Sequence, residues 1–139
     1  MIDPKVTLVD TSAAVALVVS DHIAHASTWD ALAERELGLA GHAWFETYSV
    51  LTRLPGSSRR DAATVTKLLT ANFPKSCFLD EGATAAITLR LAESGISGGA
   101  VYDALVAAAA AHHQFPLATR DRRALDTYHS IGLKVELLD

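Results

Sequence analysis

The sequence is poor in cysteine and has no long apolar run. Cys77 is alone among 139 residues, so neither a disulfide framework nor a cysteine-based zinc site can form within the chain. This cysteine usage is consistent with a reducing cytoplasm, which is the location we expect. No apolar stretch is long enough to cross a bilayer, so the sequence predicts no membrane partner.

The chain also lacks an excess of basic residues. Twelve Lys and Arg stand against sixteen Asp and Glu, which gives a net charge of −4. This balance argues against a broad basic surface but does not exclude nucleic acid, because acids that hold cations would lower the total. There is no repeat, low-complexity tract or linker, and half the residues are hydrophobic. We therefore expect residues 1–139 to form one domain with a real core.

Strand and helix patterns alternate along the chain. The predicted strands are 5–9, 37–40, 76–79, 116–119 and 134–138. The predicted helices are 11–19, 22–35, 42–54, 60–71, a helix capped by Asp80 and running to Ser94, 100–113 and 122–130. This alternation predicts an α/β fold with a mostly parallel sheet of about five strands and helices on both faces.

Two acidic residues follow predicted strands. Asp10 comes directly after the first strand, and Asp121 follows the strand "PLAT" after one residue. Ligand sites in open α/β sheets form beyond the carboxyl ends of the strands, so parallel strands would place both acids at one edge. The alternative is that each aspartate only caps the helix that follows it.

Two more acids lie on predicted helices. Asp103 is on a helix that is apolar nearly all round, which predicts burial and requires a partner for its charge. Glu46 follows Trp44 and Phe45, and could instead be a half-exposed group paired with His42 or Arg53. A structural ion pair with an arginine is the corresponding alternative for Asp103.

The four acids gain meaning as a set. If they converge, each close pair repels by about 4 kcal/mol at 4 Å with an effective dielectric of 20. Such a cluster needs protons or cations, and hard oxygen ligands suit Mg²⁺ or Mn²⁺. Two such ions about 3.5–4 Å apart can activate a water and stabilise the leaving oxygen of a phosphodiester.

Five segments, in this order, resemble the PIN domain and most of all the VapC toxins of bacterial toxin–antitoxin pairs. They are "VDTSAAVAL", "HAWFETYSVLTRLP", "GGAVYDALVAAAA", "LATRDRRALDTY" and "GLKVELL". The resemblance spans almost the whole chain. It implies a three-layer PIN-like fold with strand order 3-2-1-4-5, which would make strands one and four neighbours.

The resemblance also implies a metal-dependent endoribonuclease toxin that cleaves RNA through a metal-activated water and so inhibits translation and growth. The implied catalytic and metal-binding residues are Asp10, Glu46, Asp103 and Asp121, with Thr11, Ser12 and Thr119 orienting water or ligands behind them. Arg120 and Arg122 are candidates for phosphate contacts at the rim. The implied partners are an RNA substrate and a VapB-type antitoxin that inserts an arginine into the acidic pocket, in a homodimer or a toxin–antitoxin hetero-oligomer.

Particular residues also suggest other functions. A receiver-like or phosphotransfer domain that binds Mg²⁺ could use Asp80 and Lys134, but it leaves Asp103 unexplained. A non-catalytic RNA-binding module is a third possibility. The "GISGG" match to a nucleophile elbow at Ser97 is rejected, because a predicted helix precedes it rather than a strand. Asp126 is interpreted as a surface partner of the neighbouring arginines.

Overall fold

In the part of the chain that the structure describes, four parallel strands form the sheet, in the order β2-β1-β3-β4. The computed structural model describes residues 5–139. Its strands are β1 (Val6–Val9), β2 (Glu36–Leu39), β3 (Leu117–Thr119) and β4 (Val135–Leu137). Its helices are α1 (Thr11–Val18), α2 (His25–Leu32), α3 (Ala43–Thr52), α4 (Ala62–Asn72), α5 (Glu81–Glu93), α6 (Ala100–His113) and α7 (Leu125–Ser130), with 3₁₀ turns at Gly56–Ser58 and Arg122–Ala124.

The predicted α/β class with parallel strands is confirmed. β1 is buried along its whole length, as expected for a parallel strand with an almost wholly apolar sequence. It lies between β2 and β3, so the first and fourth predicted strands are neighbours as expected. In the part of the chain that the structure describes, no helix combines the length and apolar character that a bilayer crossing requires.

The prediction of a strand over 76–79, which would have made five strands in all, is wrong. Only one parallel bridge forms there, between Ala40 and Cys77. The amide of Leu39, which would continue a ladder, instead donates to the Ser76 hydroxyl at 2.8 Å. That hydroxyl in turn donates to the Phe73 carbonyl at 2.7 Å. A side chain has therefore taken the place of a backbone acceptor, and regular pairing is limited to one position beside β2.

Two predicted helices are altered at their ends for the same kind of reason. α2 begins at His25 rather than at residue 22, since the His22 ring accepts from the Ala24 amide at 3.0 Å within a preceding turn. The segment 122–130 begins as a 3₁₀ turn, because the Asp121 side chain accepts from the Arg123 amide at 3.0 Å. α7 follows that turn.

Small residues let neighbouring segments approach the sheet closely. A Cβ built on Gly38 would lie 2.3 Å from the Lys75 carbonyl atoms. Only glycine therefore fits at this position of β2, where the segment containing Lys75 packs against the strand. Gly41 has φ of +50° and faces the Ala109 side chain of α6. The alanines of α6 thus bring this helix, and Asp103 with it, close to the carboxyl end of the sheet.

Candidate functional site

One cavity of about 540 Å³ brings together all four acids singled out in the sequence. Asp10, Glu46, Asp103 and Asp121 line it together. Asp10 follows β1 and Asp121 follows β3, while Glu46 comes from α3 and Asp103 from α6. The cavity therefore lies beyond the carboxyl ends of the two central strands, where parallel α/β sheets place their sites.

The Asp10 carboxylate is buried, with 4 % of the residue exposed, and is held by four donors. Oδ1 accepts from the Ser12 hydroxyl at 2.6 Å and from the Ala13 amide at 3.2 Å. Oδ2 accepts from the Thr119 hydroxyl and from the Tyr128 hydroxyl, the latter at 2.8 Å. The amide contact is an N-cap of α1, so Asp10 caps this helix and also lines the cavity. These bonds offset the cost of burying the charge.

The three hydroxyls predicted to support the acids divide into two kinds. Ser12 and Thr119 contact the Asp10 carboxylate directly and lie 3.3 Å from each other. Thr11 lines the cavity but faces α3, where its hydroxyl approaches the Ala43 carbonyl at 3.5 Å. Ser12 and Thr119 therefore fix the orientation of Asp10, whereas Thr11 joins α1 to α3.

Glu46 and Asp103 are half-buried and carry raised pKa values. Burial is the largest cause for both. The charges of Asp103 and Asp10 raise the pKa of Glu46 further, although the nearby His42 opposes them. The charges of Asp121 and Asp10 do the same for the pKa of Asp103. The sequence predicted that Asp103 is buried. Its side chain is only half-buried, because the cavity opens beside it. The acids are thus close enough to repel one another.

Arg123 is a cation in the acid cavity that the sequence analysis did not identify. Its Nη2 lies 3.2 Å from Oδ2 of Asp121, and its Nε donates to Oδ1 at 3.3 Å. The arginine side chain is 91 % exposed and the aspartate side chain 26 % exposed, so the pair lies at the rim. Asp126, expected to pair with Arg122 or Arg123, is exposed and forms no ion pair with residues 5–139.

Tyr128 is the second residue of the site that sequence reasoning missed. It is 1 % exposed, and both burial and the Asp10 charge raise its pKa, so its hydroxyl stays protonated as a donor. In the sequence it belongs to an apolar stripe with Ala124 and Ile131, which predicts a core position only. The polar end of a buried tyrosine needs a partner, and that was the available signal.

The residues of the cavity suit a divalent cation by their chemistry. All four side chains offer carboxylate oxygens as ligands. A bound cation would relieve the repulsion between their negative charges. Among residues 5–139, however, no three acidic, histidine or cysteine side chains are arranged closely enough to ligate an ion as they stand. Asp10 is saturated by hydroxyls and an amide, and the Arg123 guanidinium accompanies Asp121.

Three other residues singled out in the sequence, Asp80, Lys134 and Arg120, do not line the acid cavity. Asp80 is exposed, caps α5 and pairs with His112 at 3.4 Å, and neither it nor Lys134 lines the acid cavity. Arg120, a candidate for phosphate binding, instead donates to the Thr28 hydroxyl at 3.2 Å and to the Asp139 carbonyl. Its guanidinium is thus held away from the acids.

The PIN domain family model matches residues 7–129, and the chain belongs to the PIN domain family. It is 51 % identical over 127 residues to Ribonuclease VapC27 of Mycobacterium tuberculosis strain ATCC 25618 / H37Rv, covering 91 % of this chain and 93 % of that protein. It is also 41 % identical over 131 residues to Ribonuclease VapC40 of M. tuberculosis strain CDC 1551 / Oshkosh, covering 93 % and 96 %.

Two of the solved structures that share the fold cover almost the whole chain. One is FitAB bound to an IR36 DNA fragment, with a TM-score of 0.64 and 18 % identity over 94 % of each chain. The other is FitAcB from Neisseria gonorrhoeae, with a TM-score of 0.63 and 18 % identity, covering 93 % of this chain and 95 % of that one. At this identity the likeness concerns the architecture alone.

Proposed function

We propose that this protein is a metal-dependent endoribonuclease, the toxin of a VapBC-type toxin–antitoxin module, and that it inhibits translation and growth by cleaving RNA. The observation that carries the proposal is the convergence of Asp10, Glu46, Asp103 and Asp121 on one cavity. The names of the relatives VapC27 and VapC40, both ribonucleases, support RNA as the substrate class.

In this proposal the four acids have three kinds of task. A divalent ion, Mg²⁺ or Mn²⁺, would supply Lewis acidity to the phosphate and make water a stronger nucleophile at neutral pH. Asp10 provides a fixed carboxylate, since four donors hold it in place. Glu46 and Asp103 provide charge that burial and mutual repulsion leave poorly compensated. Asp121 contributes once Arg123 turns away, and Arg123 is then free to contact a phosphate.

We also propose a protein partner and a cellular location. A VapB-type antitoxin would block the acid cavity, and an inserted arginine would neutralise the carboxylates as Arg123 already does for Asp121. Exposed apolar side chains such as Ile23 and Leu89 are available for a homodimer or a toxin–antitoxin hetero-oligomer. We propose one PIN domain over the chain, acting in the cytoplasm.

The test compares Asp103→Asn with Asp80→Asn. Both variants remove one carboxylate, but asparagine keeps the helix cap at position 80, and Asp80 lies outside the cavity. Purified protein is incubated with total RNA and Mg²⁺ or Mn²⁺, and the new 5′ ends are mapped. We expect Asp103→Asn to lower the cleavage rate by about 100-fold or more, and Asp80→Asn to change it by less than about twofold.

Three results would contradict the proposal. Cleavage by Asp103→Asn at the wild-type rate would remove this acid from the site. RNA binding without cleavage that persists in EDTA would favour a binding module. A phosphoryl group trapped on Asp80 of the wild-type protein, together with loss of activity in Asp80→Asn, would favour a phosphotransfer domain.

A further inference from the structure

A second cavity, of about 360 Å³, adjoins the acid cavity. Thr11 and Glu46 line both. Its remaining wall is one stripe of α3 and its ends, consisting of His42, Phe45, Ser49, Val50 and Arg53. We call this second cavity the α3 groove. Because Thr11 and Glu46 line both spaces, a chain that reaches the acids can continue along α3 into the groove.

A stacked ring pair lies at the boundary of the two spaces. His42, which lines the α3 groove, stacks on Tyr102, which lines the acid cavity, with centroids 4.8 Å apart and planes 18° apart. Tyr102 remains 49 % exposed and Phe45, within the groove, 62 % exposed. Exposed ring faces beside an active site provide platforms on which the bases of a single strand can stack.

A cation lies at the far end of the α3 groove. Arg53 is exposed and forms no ion pair with any residue in 5–139. It follows Glu46 by seven residues, which corresponds to about 10 Å along a helix. Arg53 therefore supplies positive charge at a distance from the acids, where a phosphate next to the reacting one could be bound.

We propose that the α3 groove binds the single-stranded RNA beside the cleaved bond, with a base stacked on the Tyr102–His42 pair and a phosphate on Arg53. This inference rests on the proposed ribonuclease function. An incoming amphipathic helix would instead require an apolar groove to receive its row of apolar anchors. The stripe offers Phe45 and Val50 but also carries polar and charged groups, which favours a nucleic-acid strand.

The experiment measures RNA affinity where no cleavage obscures it. Variants are built in the Asp103→Asn background, and a short unstructured RNA with a fluorescent label is titrated by anisotropy in Mg²⁺ at several salt concentrations. Arg53→Ala is compared with Arg90→Ala, which removes the same charge from α5, outside both cavities. Tyr102→Ala is compared with Tyr102→Phe, which keeps the ring.

We expect Tyr102→Ala to weaken RNA binding by at least about fivefold, the low end for one base–aromatic stack, while Tyr102→Phe binds as the background does. Arg53→Ala should reduce the magnitude of the negative slope of log affinity against log salt by about 0.7, the value for one single-strand phosphate contact. Arg90→Ala should leave that slope unchanged.

Two results would overturn the inference while the ribonuclease function stands. One is a cleaving wild-type protein whose Arg53→Ala and Tyr102→Ala variants match their controls. The other is a loss of affinity for the purified antitoxin without any loss for RNA, which would assign the groove to a protein partner. A wild-type protein that cleaves no RNA under any metal condition would instead remove the proposed function, and this inference with it.

Discussion

Asp10 both caps a helix and lines the acid cavity. Its position after a buried strand predicted both a helix cap and a site acid, and the structure contains the cap together with the shared cavity. The sequence could not identify Tyr128 as its fourth donor, because an i, i+4 apolar stripe describes where a ring is buried and not where its hydroxyl points. Arg123 was missed because its partner depends on the turn at Asp121.

The Tyr128→Phe variant tests this support at the residue scale. It removes one buried hydrogen bond to a carboxylate, so we expect the free energy of unfolding to fall by about 1.5 kcal/mol. RNA cleavage at saturating metal should also fall, since Asp10 is less firmly oriented, and the metal concentration for half-maximal cleavage should rise. Urea unfolding and a metal titration measure both effects.

Tyr102→Phe is the matched control, since it also removes one hydroxyl, but from an exposed side chain. Its stability should stay within about 0.5 kcal/mol of the wild type. If both tyrosine variants lose the same stability, or if Tyr128→Phe cleaves RNA with an unchanged metal requirement, Tyr128 does not position Asp10.

At the scale of elements, alternation of strand and helix was enough to predict the parallel sheet, because burial of β1 on both faces produces an apolar run. It was not enough to place every boundary. The segment 76–79 has strand-like composition, yet the Ser76 hydroxyl replaces a backbone acceptor for Leu39. The His22 ring similarly delays α2. Such local competition depends on side-chain geometry that composition does not reveal.

The close approach at Gly38 yields a prediction about β2. Gly38→Ala would place a methyl group 2.3 Å from the Lys75 carbonyl, and backbone must move to relieve the contact. We expect a loss of about 1–3 kcal/mol in the free energy of unfolding, measured by urea denaturation.

Gly82→Ala provides the comparison, because its added Cβ meets only an ordinary contact at 3.6 Å in the first turn of α5. This change should stabilise the protein by about 0.5–1 kcal/mol, since alanine loses less entropy than glycine in a helix. If Gly38→Ala stabilises the protein as Gly82→Ala does, the backbone of β2 and the segment beside it can move apart at little cost in free energy.

For the molecule as a whole, the acid cavity links stability to pH. The pKa values of Glu46 and Asp103 are raised in the folded state, so the fold favours their protonated forms. Their contribution to stability is therefore present below the ordinary carboxyl range and is lost as pH rises through the raised pKa values. At neutral pH the metal-free protein carries this repulsion.

Asp103→Asn removes one member of the repulsive set. We expect the metal-free variant to unfold at a higher temperature than the wild type at pH 7, with the difference vanishing below about pH 4. Mn²⁺ should raise the wild-type midpoint at pH 7 more than that of the variant.

Asp126→Asn, which removes the same charge at an exposed position, should not raise the midpoint in the same way. Thermal scans over pH, with and without Mn²⁺, check these expectations. A midpoint for metal-free Asp103→Asn below that of the wild type at pH 7 would mean that the acids of the cavity do not destabilise one another.

The hydrogen bonds of Asp10 also bear on how the protein is made. Thr119 and Tyr128 lie 109 and 118 residues beyond it in the chain. A nascent polypeptide on the ribosome therefore carries Asp10 long before these donors, or Asp121, have been synthesised. The order of translation thus delays assembly of the four acids around one cavity until β3 and the segment after it have emerged.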